Sequence, residues 1–597
     1  MRTVALFSNV LVANRGEIAI RIFRTLRELG IGSVAVYSDA DRATPHVAYA
    51  DEAIGLGGET AAESYLVAEK LVAAAVKAGA EAIHPGYGFL AENAAFARAV
   101  EAAGLTWIGP PPAAIELMGA KTTARERMQA AGVPIIPGTT EPVPSSDAVL
   151  HLGQELGYPL LIKAAAGGGG KGMKVVEGPE EVERAFEAAQ REGQAYFANP
   201  SVYVERYLVD PRHVEVQVIA DAHGNVIHLG ERDCTIQRRH QKLVEETPSP
   251  AVDAALRERI GQIAVDAARA ADYRSAGTIE GLLTSDGEYF FMEMNTRIQV
   301  EHTVTELVTG LDLVREQVRI AAGEPLSVRQ EDVRFSGHAI ECRINAEDVQ
   351  RGFLPAPGTI TRYREPAGPG VRVDSGVVEG TEISPLYDPM IAKLIVHDVD
   401  RESARRRMLR ALHEFEIGGT KTLIGFHLAL LSHPCFVAGE TCAGIVDSEE
   451  LAHAAQEAEE QLSHMTTSVA SGSDGRLRER LHAVEVDGRR FEVKVLTAEP
   501  PHAELARRRA ERERARAHGS GADAVVTPMQ GTVLSVEVAD GDEVQAGQVL
   551  CVVEAMKMEN EIVARRAGGV ESLAVGEGDQ VASGQELLRL ISGRGSA

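Results

Sequence analysis

Lys557 stands between two methionines, in the run Glu554-Ala555-Met556-Lys557-Met558-Glu559, at the midpoint of a tandem repeat. Gly531, Val533, Ser535, Val538, Gly541, Asp542, Val544, Gly547, Gln548 and Leu550 return as Gly568, Val570, Ser572, Val575, Gly578, Asp579, Val581, Gly584, Gln585 and Leu587, each 37 residues on. Two strand–turn–strand copies predict two related sheets packed as a flattened β-sandwich, with Lys557 on the turn between the halves. An amine displayed there is a handle for covalent attachment of a carried group. The plain alternative is an ordinary surface lysine. The repeat, and two methionines that gain nothing by burial at a turn tip, set this one apart.

A second group of residues suits phosphate chemistry. Gly167-Gly168-Gly169-Gly170-Lys171-Gly172-Met173 follows an apolar strand at 160–163. Glycine admits positive φ and lets backbone N–H groups approach an anion, although the spacing is not that of a Walker loop and a flexible turn is the plain alternative. Glu293-Met294-Asn295 follows the apolar run Tyr289-Phe290-Phe291. Alternate residues share one face of a strand, so Glu293 and Asn295 present oxygens together. With Glu280 on a neighbouring strand they form a set of hard ligands suited to Mg²⁺ or Mn²⁺; Glu280 alone would be a weak signal.

The elements that must hold these groups can be followed along the chain. A strand at 10–13, the turn Asn14-Arg15-Gly16-Glu17, and Ile18, Ile22, Leu26 and Leu29 at helical spacing up to Gly30 lead to a second strand at 33–37. That order implies a parallel α/β layer. Strands mixed with glycine-rich turns occupy about 121–310, and a third α+β stretch runs from 333 to 449. Residues 452–473 are Ala/Glu/Gln-rich and then Ser/Gly-rich; 481–496 alternates around Asp487-Gly488 as a hairpin. The Arg/Glu/Ala run at 507–516, followed by His518-Gly519-Ser520-Gly521, reads as a mobile, partly helical tether.

Composition narrows the partners. With 597 residues the chain must divide into several domains. Sixty-one basic against 87 acidic residues, a net charge of −26, argues against nucleic acid. Five cysteines (Cys234, Cys342, Cys435, Cys442 and Cys551), without C-x-x-C spacing, indicate neither a disulfide framework nor a zinc site and fit a reducing compartment. The N-terminal residues carry no signal pattern and no apolar run spans a bilayer, so no membrane role and a cytoplasmic location are expected.

Ala555-Met556-Lys557-Met558 resembles the biotin attachment sequence of biotin carboxyl carrier domains, and Thr527-Pro528-Met529-Gln530-Gly531 resembles their entry strand. Lipoyl domains share that fold but usually place another pair around the lysine, so Met-Lys-Met favours biotin. Asn14-Arg15-Gly16-Glu17, His84-Pro85-Gly86-Tyr87-Gly88 and Glu293-Met294-Asn295-Thr296-Arg297-Ile298-Gln299-Val300-Glu301-His302 resemble biotin carboxylase, an ATP-grasp enzyme. The resemblance covers roughly 8–447 and 522–592, and the whole looks like the α subunit of an acyl-CoA carboxylase, with carboxylase and carrier fused. The Ala/Arg/Gly-rich composition is compatible with an actinobacterial source.

The resemblance implies an α/β and α+β multidomain chain. Its parts are a parallel α/β N-terminal domain (1–120), an ATP-grasp domain (121–332, lid about 137–207) and an α+β C-terminal carboxylase domain (333–449). A linker or docking region (450–521) and an all-β biotinyl/lipoyl-type flattened sandwich (522–594) complete it. It further implies that Lys121 and Lys163 hold ATP phosphates beneath Gly168, Gly169 and Gly170. Glu205 and Leu208 lie on the adenine-side hinge, His213 and Gln237 near the ribose and His240 by the phosphates, with Glu280, Glu293 and Asn295 on the metal.

Lys242, Arg297 and the Gln299 and Val300 backbone N–H groups would hold bicarbonate while Glu301 takes its proton. Bicarbonate then attacks the γ-phosphate to give carboxyphosphate, which yields CO₂ and phosphate. The phosphate removes the biotin N1′ proton, and Arg343 stabilises the enolate that attacks CO₂. A structural pairing of Arg343 with Glu341 or Asp348 is its plain alternative. Cys234 reads as a packing residue.

Gly281 departs from the pattern: the family usually has a bulky residue after the glutamate, and glycine there is expected to loosen the strand beside a metal ligand. No long segment is left for a carboxyltransferase, so a separate β subunit, a hetero-oligomer and a biotin protein ligase are the implied partners. Acetyl-CoA and propionyl-CoA are the implied acceptors, chosen on the β subunit. The competing readings are the α subunit of a methylcrotonyl-CoA or pyruvate carboxylase, a non-biotin ATP-grasp ligase, and a non-catalytic carrier scaffold.

Overall fold

The computed structural model describes residues 6–139, 141–164, 173–197, 199–239, 241–471, 477–486, 489–498, 523–555 and 558–591. They divide into two compact units, Met1–Ser463 and His464–Ala597.

Strand β1 (Asn9–Val12) is buried at Val10, Leu11 and Val12, as both faces of a parallel strand are covered. Helix α1 (Gly16–Glu28) turns Ile18, Ile22 and Leu26 to the core, and Gly30, at φ 72°, supplies the left-handed residue just beyond its end. With β2 (Gly32–Tyr37), β3 (Glu52–Gly55), β4 (Ala82–His84) and β5 (Thr106–Trp107), a parallel sheet forms in the order β3-β2-β1-β4-β5.

A small antiparallel sheet follows, β7-β6-β8, from β6 (Leu160–Ala164), β7 (Met173–Val176) and β8 (Val202–Arg206). Helix α2 (Val182–Phe197) covers it through Val182, Phe186 and Ala189.

An eight-stranded sheet then carries most of the chemistry. It uses β9 (Arg212–Ala220), β10 (Val226–Asp233), β11 (Val244–Thr247), β12 (Ser275–Leu283), β13 (Tyr289–Asn295), β14 (His338–Asn345), β15 (Val371–Ser375) and β16 (Met390–Asp398). Their order is β13-β12-β9-β10-β11-β14-β16-β15, so strands from both sides of residue 333 share one sheet. Helix α3 (Ala254–Ala270) packs on β9 and β10, and α4 (His302–Thr309) packs on β10, β14 and β16.

The Ala/Glu/Gln-rich stretch forms helix α5 (Glu449–Ser471), whose Leu451 and Ala455 enter the same core as Leu428 and Phe436. Cys435 and Cys442 are joined by a disulfide. This corrects the expectation from cysteine number and spacing, since the six intervening residues can fold back through Gly439 in the left-handed region. Among the described residues no helix is long and apolar enough to cross a membrane.

In the second unit β17 (Leu477–Val486) and β18 (Arg489–Ala498) pair antiparallel from Leu477 opposite Ala498 to Val486 opposite Arg489. The repeat builds two four-stranded sheets. One runs β19 (Ala524–Val526), β26 (Glu586–Ile591), β24 (Gly568–Glu571), β21 (Glu543–Val544); the other runs β23 (Met558–Val563), β22 (Val549–Ala555), β20 (Gly531–Val536), β25 (Gln580–Val581).

The repeated apolar positions share one core: Val533, Val538, Val544 and Leu550 with Val570, Val575, Val581 and Leu587. The polar positions repeat their bonds as well. Asp542 and Asp579 accept from the N–H groups of Ala539 and Gly576, each at 2.8 Å. Gln548 and Gln585 accept from those of Gln545 and Ala582 at 3.0 and 2.9 Å. Ala555 pairs with Met558 across β22 and β23, and Lys557 itself lies outside the described residues.

Candidate active site

A cavity of about 1630 Å³ opens between the parallel sheet, the small antiparallel sheet and the large one. Side-chain alternation along the strands aims the chemical groups into it. β9 contributes His213, β12 Glu280, β13 Glu293 and Asn295, and β14 Arg343; the segment after β13 adds Arg297, Gln299 and Val300.

At its centre the Lys242 ammonium donates to Glu280 Oε1 at 2.9 Å, to Glu301 Oε1 at 2.7 Å, and to Glu215. Glu280 Oε1 also accepts from Asn295 Nδ2 at 2.8 Å and Gln299 Nε2 at 2.9 Å, while Oε2 lies 3.0 Å from His213 Nε2. Arg343 reaches Glu301 Oε2 at 2.9 Å and Glu245 Oε1 at 2.7 Å through Nε. Its partners are therefore Glu245 and Glu301 rather than Glu341 or Asp348. Glu301 itself is wholly buried at the N-terminal end of α4.

These charges set one another's ionisation. Burial alone would raise Glu301, but Lys242, Arg343 and Arg232 outweigh it and hold the carboxyl well below its ordinary range. Glu280 is lowered in the same way, against burial, by Lys242 and His213. Glu245 goes the other way: burial, reinforced by Glu301, pushes it up to about 7 despite Arg343. Burial and the nearby Glu215 push the Cys234 thiol far up, as befits a packing residue.

Towards the small sheet, Lys163 on β6 lies 2.6 Å from Glu205 Oε1 at the end of β8, and Arg125 donates to the same oxygen at 2.8 Å. Lys163, Glu205, His213 and Gln237 all line the cavity; Leu208 is buried and does not. His240, Gly168, Gly169 and Gly170 lie outside the described residues, as does the side chain of Lys121.

The expected loosening at Gly281 does not occur. A bulge lets Glu280 face Glu293 while Gly281 faces Phe291, leaving Met292 as the extra residue of β13. A Cβ on Gly281 would lie 2.3 Å from Cζ of Tyr289, so the tyrosine ring fills the space a bulky residue would occupy. The Tyr289 hydroxyl lies 3.3 Å from the carbonyls of Val214 and Ile279, the residues before Glu215 and Glu280.

Several site residues carried no motif. Glu215 could have been found from its alternation with His213. Glu92, which accepts from the Thr296 N–H at 2.9 Å and from Arg297 Nε at 2.8 Å, lies just beyond the His84–Gly88 run. Arg232, Glu245 and Lys393 lack even that, being brought in by strand pairing alone.

Comparison with known proteins identifies the family. A family model described as the N-terminal domain of biotin carboxylase matches residues 6–115, and one for its C-terminal domain matches 341–448. The ATP-binding domain of the carbamoyl-phosphate synthase L chain matches 120–329, and a biotin-requiring enzyme model matches 523–590. The biotin-dependent acyl-coenzyme A carboxylase alpha3 subunit of Mycobacterium leprae is 48% identical over 94% of this chain and 95% of its own. The propionyl-CoA carboxylase alpha chain of Ruegeria pomeroyi is 39% identical over 94% and 97%.

Among solved structures, the biotin carboxylase domain dimer of the Hydrogenobacter thermophilus 2-oxoglutarate carboxylase, in complex with MgADP, ADP and bicarbonate, aligns with TM-score 0.68. It is 49% identical, covering 73% of this chain and 96% of that one. The chain belongs to the family of biotin-dependent acyl-coenzyme A carboxylase α subunits, and is an ATP-dependent biotin carboxylase that carries a biotinyl domain on the same polypeptide.

Proposed function

We propose that the central cavity carboxylates biotin held on Lys557, using ATP and bicarbonate, and that a separate β subunit passes the carboxyl group to acetyl-CoA or propionyl-CoA. The observation that carries this reading is the wholly buried Glu301, held between the ammonium of Lys242 and the guanidinium of Arg343. A carboxylate fixed between two cations can accept the proton of a bicarbonate that those cations hold. Deprotonated bicarbonate attacks the γ-phosphorus, the bond to the β–γ bridging oxygen breaks, and ADP leaves. Gln299, Val300 and Arg297 orient the anion, and Arg343 supplies positive charge where the acceptor becomes negative.

The donor set suits a divalent cation. Glu280, Glu293 and Asn295 offer only oxygen to it; Glu280 Oε1 already takes three N–H donors, so Oε2, which faces His213 Nε2, is the oxygen the ion would take. His213, Glu215 and Glu280 also cluster, but Glu215 is committed to Arg232 and Lys242. The ion would offset charge on the ATP phosphates. Lys163 supports nucleotide binding from the other side of the cavity, with Lys121, His240 and Gly168–Gly170 proposed to join it. A cytoplasmic location fits these substrates.

The test has two parts. Glu301→Gln should abolish bicarbonate-dependent ATP hydrolysis, a loss of roughly a hundredfold or more, while nucleotide binding by calorimetry is retained. Intact mass after co-expression with a biotin ligase should show one biotin, lost in Lys557→Ala. Retained hydrolysis, or a mass increment indifferent to Lys557, would overturn the reading.

A further inference from the structure

Glu245 is the second carboxylate on Arg343, which also holds Glu301. Strands β11 and β14 pair so that Glu245 lies directly opposite Glu341, and both side chains are wholly buried. Directly opposed residues of antiparallel strands project from the same face as near neighbours. Arg343 gives both Nε and an NH2 nitrogen to one oxygen of Glu245, at 2.7 and 2.5 Å. The other oxygen, Oε2, is buried with no donor. Glu341 repeats the pattern: one oxygen accepts from the Thr303 hydroxyl, and the other, Oε1, is buried with no donor.

Two orphaned carboxylate oxygens on facing positions are what a single intervening proton would satisfy, one carboxyl donating and the other accepting. The charge balance asks for the same thing. Glu301 already has Lys242 beside it, so an ionised Glu245 would be a second anion on Arg343 and would draw its charge away from the cavity. Other groups facing the pair are Lys242 ahead of β11, Lys393 on β16, and Glu301 with Thr303 at the start of α4.

We propose that Glu245 and Glu341 share one proton, and that this pair is a positioning device which fixes the Arg343 guanidinium without neutralising it. Burial and like-charge proximity favour the arrangement, raising both carboxyls above their ordinary range. The inference rests on the proposed role of Arg343 towards the carboxyl acceptor.

The full biotinylated chain is the material for the test. Infrared difference spectra at neutral pH, wild type against Glu245→Gln and against Glu341→Gln, should each show loss of a protonated-carboxyl band that shifts in D₂O. Glu245→Ala should lower kcat for biotin carboxylation roughly tenfold or more with the ATP KM unchanged, and Glu245→Gln, which still accepts from Arg343, should recover most of that loss. Thermal unfolding of each variant confirms a folded sample.

A band that is missing in wild type, or that survives both Gln variants, refutes the shared proton. A Gln variant as impaired as the Ala variant refutes the positioning role. Arg343→Ala tests the underlying reading separately: full activity there removes the role of Arg343, whereas the infrared band reports on the pair alone.

Discussion

Lys242 brings one ammonium to three carboxylates inside the protein, an arrangement that is costly to bury and costly to break. It makes folding stability depend on pH in two opposed ways. Glu301 and Glu280 are held below their ordinary value, so their contribution is complete above about pH 4.5 and is lost as pH falls. Glu245, raised to about 7, contributes fully below its ordinary value, and that contribution is lost as pH rises through about 7.

Glu245→Gln should therefore flatten the upper limb. Thermal unfolding followed from about pH 5 to about pH 8 should fall less steeply than in wild type; an unchanged slope would show that this carboxyl keeps its charge throughout. At this scale the sequence was informative where a motif marked the residue, as at Glu293, Asn295 and Glu301. It was silent at Glu245 and Arg232, because a glutamate or arginine within an ordinary strand carries no local sign of the charge it will meet across the sheet.

Strand alternation correctly set Glu293 and Asn295 towards one cavity, yet the consequence of Gly281 needed the neighbouring strand. A side chain absent from β12 is replaced by one arriving from β13, and no local pattern reports such an exchange. The two positions should behave as one packing unit. Gly281→Phe should destabilise by about 1–3 kcal/mol through overpacking against the ring, and adding Tyr289→Ala should recover much of that. Denaturant unfolding of the single and double variants measures the coupling; additive effects would mean that the ring can move aside. Helix α5 shows the converse case: its composition suggested part of a connecting region, whereas Leu451 and Ala455 are core residues of the first unit.

For the molecule as a whole, the order of parts and the repeat were legible because each leaves a local or periodic trace. The cavity was less so, since its carboxylates and cations are drawn from positions as far apart as Glu17 and Arg343. The hairpin β17–β18 stands outside the carboxylase and the repeat, and it is the candidate contact for a β subunit. Deleting 475–500 should abolish co-purification of the two subunits while biotin carboxylation by the remaining chain stays within about twofold. Undiminished co-purification would leave the segment a spacer.

The two sheets of the repeat domain interleave the halves: β26 lies between β19 from the first half and β24 from the second. Neither half can close this sheet by itself, so the domain cannot take shape until Glu586–Ile591 is free to pair. A ligase that reads the folded domain would then meet Lys557 only after that strand has paired. A released chain truncated before residue 586 should remain unmodified by a biotin ligase, whereas the chain that includes Glu586–Ile591 should take up biotin; equal labelling of the two would show that the last strand is not needed.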